Sequence, residues 1–193
     1  MHKRKPNVDY TEKTFLEISL LIKNSSYLAP EIINCVNVIT KSLKKGKKII
    51  LFGNGGSAAD AQHMAGEFVG RFMKERKSFP AIALSTDSSV ITAIGNDYGF
   101  EKIFSRQIES LVKKGDVVIA ISTSGKSQNV LQGIKTSKKY GAKIISLTGK
   151  SPVKMKSASD ILLNVNSLKT SRIQEAHRTI IHIICELVEN KLS

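Results

Sequence analysis

Five short apolar runs mark the chain from residue 48 onward: Lys48–Phe52, Ala81–Leu84, Val117–Ile121, Ile144–Leu147 and Ile161–Leu163. They are continuous rather than alternating, as expected of strands covered on both faces of a parallel sheet. Helical spacing fills the gaps over about 57–74, 100–114 and 127–140. A last helix over about 171–191 carries Ile173, Ile180, Ile181, Ile184, Leu187 and Val188 on its apolar side. Strand alternating with helix predicts an α/β fold with a doubly wound, five-stranded parallel sheet of the flavodoxin-like or Rossmann-like kind.

Upstream, residues 9–45 read as helical. Phe15, Ile18, Leu21 and Ile22 form one stripe, and Ile32, Ile33, Val36, Ile39 and Leu43 continue it. Pro30 divides this region into two helices, because a helix usually ends before a proline. Gly46 stops the second. With no repeat or linker, the chain reads as one domain over 1–193, with 1–46 as an N-terminal helical extension.

Ligands of open α/β sheets bind beyond the carboxyl ends of the strands, and two of those ends are unusual. The first is Gly53-Asn54-Gly55-Gly56-Ser57, where glycines let the backbone approach a ligand and the next helix points N–H groups at it. Gly53-x-Gly55-x-x-Ala58 imitates a dinucleotide fingerprint, but the acid expected after the second strand is missing. The second is Ser122-Thr123-Ser124-Gly125-Lys126-Ser127, four hydroxyls and a glycine between strand and helix. A helix N-cap needs only one such residue, so the loop reads as a phosphate cradle. Its near match to a nucleotide-triphosphate loop has Ala120 for the first glycine, and the neighbouring strands end without an acid for magnesium.

Histidine and carboxylate supply the chemistry. His63 and Glu67 are four apart on one helix face; Gln174 and His182 are eight apart on the last helix, with His177 between them. His182 stands in the apolar run Ile180–Ile184, where a polar ring needs a partner. His63, Glu67 and His182 could hold a metal. Without one, Glu67 and His182 form an acid/base pair suited to proton abstraction beside a carbonyl.

Charge changes the picture less than its size suggests. The net charge is +14, but 24 of the 30 basic residues are Lys. The densest runs, Lys44–Lys48 and Lys138–Lys139, fall where helices should end, and cations there complement the helix dipole. A solvated surface, rather than a nucleic-acid face, is the expectation. The basic start Met1–Pro6 leads into no apolar run, so neither a secretory signal nor a membrane span is expected. Cys35 and Cys185 lie far apart, which suits reduced thiols in a cytoplasmic protein.

Five ordered motifs carry a resemblance: Gly53–Ser57, His63-x-x-x-Glu67, Gly95–Phe100, Ile121–Gly125 and Arg172–His177. Together they resemble the bacterial phosphoheptose isomerases, sugar-isomerase (SIS) domain proteins that interconvert sedoheptulose 7-phosphate and glycero-manno-heptose 7-phosphate. The resemblance implies that Ser122, Thr123, Ser124 and Ser127 hold the phosphate. It implies that Asn54, Gly55, Gly56, Ser57, Asn96 and Asp97 line the sugar, with His63, Glu67 and Gln174 also at the substrate. Glu67 and His182 would move protons through an enediol. His63, Glu67, Gln174 and His182 match the zinc positions of members that bind zinc, one per subunit. A homotetramer with sites across subunit boundaries is implied, as is heptose supply to lipopolysaccharide, capsule or another surface glycan. Two departures stand out: Lys126 where Asn is common, and Ser171 where an Asp often precedes the Arg-Ile-Gln motif. A related SIS protein binds the replication initiator without known isomerase activity, but it lacks the Glu and late His present here. A glucosamine-phosphate isomerase of the same fold is a weaker alternative.

Overall fold

The structure is a computed structural model and describes residues 8–150 and 153–193; the basic start Met1–Pro6, with His2, lies outside the described residues. Five strands, β1 (Ile49–Gly53), β2 (Ala81–Ala83), β3 (Val117–Ser122), β4 (Lys143–Thr148) and β5 (Ile161–Asn164), form one sheet in the order β2-β1-β3-β4-β5. Every pairing is parallel. This is the flavodoxin-like order, and its topological switch point lies between β1 and β3. The two unusual strand ends, at Gly53 and Ser122, therefore meet at one crevice.

The apolar runs are continuous because their residues sort alternately onto two cores. Ile49, Leu51, Val117, Ile119, Ile121, Ile145 and Leu147 face one layer, covered by α2 (Ala29–Lys44), α3 (Gly56–Val69) and α8 (Thr170–Leu192). Ile50, Phe52, Val118, Ala120 and Ile144 face the other, covered by α5 (Ile103–Leu111), α6 (Gln128–Lys139) and Met155 of α7 (Val153–Ala158). Gly133 is required there, since a Cβ would meet the Phe52 ring at 2.9 Å. Cys35 and Cys185 are buried free thiols. Lys44, Lys138 and Lys139 occupy last turns of helices, as their spacing predicts.

Several boundaries differ from the sequence reading. Pro30 does not end a helix but sits in the first turn of α2, where its missing N–H costs nothing. The break comes earlier, as a 3-10 turn at Ser25–Leu28 after α1 (Val8–Asn24). α1 buries no residue, and Phe15 of its apolar stripe is 70% exposed. α2, by contrast, is part of the core through Ile32, Val36 and Ile39. The helix expected to 74 ends at Val69. The one expected over 100–114 starts with a 3-10 turn and ends at Leu111. Two helices were not expected: α7, and α4 (Ser88–Tyr98), which buries no residue and so lacks a strong apolar period. The signal for α4 was its cap, Asp87, whose carboxylate accepts the Val90 N–H at 3.0 Å.

His177 lies wholly buried in α8, its Nε2 donating to the Thr148 carbonyl at 3.2 Å and its Nδ1 without a partner. Burial pushes its pKa down to about 4 from an ordinary 6.5. The unfolded chain thus takes up a proton that the folded chain refuses. This contribution to stability is complete above pH 6.5 and is lost as pH falls through about 4. The linkage amounts to about 3 kcal/mol. Denaturant unfolding of the wild type should weaken more steeply from pH 7 to 4 than that of His177→Gln, which keeps a donor to Thr148. Equal slopes would rule out His177 as the source.

Candidate active site

The first wall of the crevice is the glycine loop. β1 runs into α3 through Gly55, held at φ +56° and ψ −122°, a conformation open to glycine. A Cβ on Gly53 would meet the Ile121 carbonyl oxygen and Ser57 Cβ, both at 2.8 Å, so β1, β3 and α3 approach closely only because Gly53 has none. A Cβ on Gly56 would collide with the Gln174 amide at 2.1 Å, which puts Gln174 of α8 directly against this loop.

The second wall is the hydroxyl loop after β3. Gly125 turns at φ +63°, and its N–H donates to the Ser122 carbonyl at 3.1 Å. Ser122 and Ser127 oppose their hydroxyls at 3.3 Å, and Ser124 Oγ accepts the Lys126 N–H at 3.2 Å. Ser127 is the N-cap residue of α6 yet makes no side-chain cap bond. Its hydroxyl is therefore not committed to the helix, as the simple capping explanation would require. Lys126 is exposed and, with Thr123, Ser124 and Lys150, lines a pocket of about 200 Å³. Ser171 is exposed in the first turn of α8.

A residue the sequence did not single out joins the walls. Asn129, buried in α6, exchanges two amide hydrogen bonds with Asn54, both 2.9 Å. Asn54, expected to line the sugar, thus has its side chain engaged in holding the two loops together. Asn96 and Asp97 lie exposed on α4, where their side chains hydrogen-bond to each other at 2.8 Å.

The histidine and carboxylate groups meet between α3 and α8. His63 Nε2 and His182 Nε2 are 2.8 Å apart, and Glu67 Oε1 is 3.5 Å from His63 Nε2. The three form a chain with His63 in the middle, a bridging place its sequence position did not reveal. At this distance one imidazole donates and the other accepts. Burial, aided by the Arg178 cation, holds His63 below its ordinary pKa despite Glu67. The Phe72 ring lies 5.6 Å from that of His182.

Arg178 and Asp60 were also missed. Arg178 Nη2 reaches Asp60 Oδ1 at 2.8 Å, and Asp60 Oδ2 is buried without a partner. Burial raises the Asp60 pKa, against the pull of Arg178. The signal was spacing: Gln174, Arg178 and His182 fall four apart on α8, while Asp60, His63 and Glu67 are three and four apart on α3. Gln174 against Gly56, Arg178 against Asp60 and His182 against His63 are successive rungs between the two helices.

For a metal, the donors are right in kind: two imidazole nitrogens and a carboxylate. Their spacing is that of a hydrogen-bonded pair, tighter than the roughly 3.3 Å separating two ligands of one tetrahedral zinc at ~2.05 Å. Among the described residues no three His, Cys, Asp or Glu side chains take up metal-holding positions. Gln174 belongs to the rung at Gly56, two turns from His182.

Known proteins share both sequence and fold. A family model described as the SIS domain matches residues 16–149. A phosphoheptose isomerase of Aquifex aeolicus is 53% identical over 161 residues, covering 83% of this chain and 84% of that protein. One from a Nitratiruptor species is 53% identical over 178 residues, 92% of each. The solved phosphoheptose isomerase of Neisseria gonorrhoeae superposes with a TM-score of 0.89 at 38% identity, over 94% of this chain and 98% of that one. That of Francisella tularensis gives 0.92 at 32% identity, over 96% and 100%.

Proposed function

The chain belongs to the phosphoheptose isomerases of the SIS-domain family, and from that we propose that it interconverts sedoheptulose 7-phosphate and D-glycero-D-manno-heptose 7-phosphate. The observation that carries this reading is the convergence of Glu67, His63 and His182 between α3 and α8, the two helices that also bring Gln174 against the glycine loop.

The conversion moves one hydrogen between neighbouring carbons. A base takes a proton from C1 of the ketose, leaving an enediol, and returns it to C2; a second proton shifts from O1 to O2. Glu67 is the carrier of the carbon-bound proton, as a carboxylate able to accept and release it. His182 serves the oxygens, and His63 fixes its tautomer through the 2.8 Å contact. Ser122, Thr123, Ser124 and Ser127 take the phosphate at the start of α6, where hydroxyls and N–H groups donate and the helix dipole favours an anion. Gly55, Gly56 and Ser57 hold the sugar against the glycine loop, with Gln174 beside it.

We propose zinc, one per subunit, at His63, Glu67, Gln174 and His182, the positions the resemblance implies. Its support is the kind of donors at His63, Glu67 and His182; holding the ion would require the two imidazoles to move apart and Gln174 to turn toward them. It would polarise the carbonyl oxygen; the residues above carry the protons either way. Protein purified without chelator should contain about one zinc per chain, and undiminished turnover of metal-free protein would make the ion dispensable.

Assembly into a homotetramer is also proposed. Its support is a groove of about 400 Å³ lined by Ile22, Ile32, Ile33, Ile180, Ile183 and Leu187, together with the exposed Leu16 and Leu20 of α1. Exposed apolar patches of this kind mark interaction surfaces. Among the described residues no helix is long and apolar enough to cross a membrane. We place the enzyme in the cytoplasm, supplying heptose for lipopolysaccharide, capsule or a related glycan, with the excess Lys as solvated surface rather than a nucleic-acid site.

Incubation with sedoheptulose 7-phosphate should yield a new aldose phosphate. Absence of product at high enzyme concentration would favour a binding protein of the same fold.

A further inference from the structure

After α3 the chain runs irregularly to β2, and one buried ion pair organises it. Arg76 and Glu189 meet at 3.0 Å with side chains only 4% and 2% exposed. The Glu189 carboxylate accepts three successive backbone N–H groups, of Phe72 at 3.0 Å, Met73 at 2.8 Å and Lys74 at 2.9 Å. Burial alone would push its pKa up; the donors from Met73, Phe72, Lys74 and Arg76 outweigh it and hold the carboxyl below its ordinary 4.5. The Arg76 guanidinium turns to the end of α3. Nη2 donates to the Glu67 carbonyl at 2.8 Å, and Nη1 to those of Phe68 at 3.0 Å and Gly70 at 3.3 Å.

This arrangement explains why α3 stops. In a continuing helix the N–H groups of residues 72, 73 and 74 would bond to the carbonyls of 68, 69 and 70. Glu189 holds all three donors, and Arg76 holds two of those acceptors, at Phe68 and Gly70. The segment is thereby kept out of the helix, with the Phe72 ring against His182 at 5.6 Å. Glu189 itself lies seven residues beyond His182, two turns along α8 and on the same face. The pair thus reaches both proposed proton carriers at one remove: Glu67 through its carbonyl, His182 through Phe72.

We infer that Arg76, Glu189 and Phe72 are positioning residues of the isomerase, a clamp that sets Glu67 and His182 relative to one another; this rests on their assignment as proton carriers. A pair that merely stabilised the fold would protect against unfolding without changing turnover. A clamp would change turnover at temperatures where the protein is fully folded, since misplacement of a reacting group by about 1 Å costs on the order of 100-fold.

The test compares Glu189→Gln, Phe72→Leu and the double variant with wild type in thermal stability, kcat, KM and the ring-nitrogen NMR signals of His63 and His182. Phe72→Leu leaves the buried ion pair intact and keeps the test alive if Glu189→Gln fails to fold. In the folded variants kcat should fall roughly 10- to 100-fold with KM within about 2-fold. The double variant should be no slower than the worse single one, because both act through one contact. The ring-nitrogen signals should shift, reporting a disturbed His63–His182 hydrogen bond. Unchanged kcat and unchanged ring signals in folded Phe72→Leu would overturn the inference, as would losses that multiply in the double variant. A wild type without isomerase activity would count against the assigned reaction, and the ring-nitrogen signals would still decide the clamp.

Discussion

Replacing Glu67 with Gln should lower kcat by about 10²–10⁴ while leaving KM nearly unchanged, the usual cost of losing a general acid or base. The substitution is isosteric. Glu67 sits in the last turn of α3, its backbone carbonyl held by Arg76 at 2.8 Å and its Oε1 3.5 Å from His63. An amide can occupy the same place and still hydrogen-bond to an imidazole. It cannot take a proton from carbon, so in protein of equal zinc content the transition state loses about 2.7–5.5 kcal/mol. Exchange of the substrate C1 hydrogen with deuterated solvent should vanish with turnover, while sugar phosphate still binds. Turnover within about threefold of wild type would remove Glu67 from the chemistry.

Ser127→Asp separates the two explanations of the hydroxyl loop in one experiment. Ser127 occupies the N-cap of α6 with extended backbone (φ −61°, ψ 118°) and makes no cap bond of its own. Asp is a preferred N-cap residue, and its charge complements the helix dipole. If the loop served only to start a helix, the variant would melt at the same or a higher temperature and work normally. With a phosphate seated there, the new carboxylate faces a dianion, and such like-charge juxtaposition costs several kcal/mol. kcat/KM should fall by about 10²–10³, and inorganic phosphate should no longer compete with substrate. Ser127→Ala should cost less, about 10- to 100-fold, the worth of one hydrogen bond to a charged group. Retained kcat/KM in the Asp variant would place the phosphate elsewhere.

How much of this could be read beforehand varied by element. All five strands were legible: β1 and β3, buried at every position, demand nearly continuous apolar runs, and the edge strands β2 and β5, though only partly covered, keep short apolar runs of their own. The two ligand loops were legible because their glycines and hydroxyls serve no need of the strands they follow. α4 was not, since a helix that buries nothing leaves no apolar period. Nor was the end of α3, where Arg71–Lys74 continues a plausible helix and the competing acceptor, Glu189, lies 115 residues away from Lys74.

By itself the sequence determined the layers, the strands and the candidate groups, because these depend on local periodicity and on residue type. It also placed His63 with Glu67, and Gln174 with His182, since spacing along one helix settles which side chains share a face. Only the tertiary structure decided which groups meet. His63 stands between Glu67 and His182, Asn54 is bound to Asn129, and Asp60 is paired with Arg178. Each of these contacts joins residues at least 75 positions apart, apart from the His63–Glu67 step within α3. Their distances are set by the packing of α3 against α8 and by β1 lying beside β3, which no local pattern encodes.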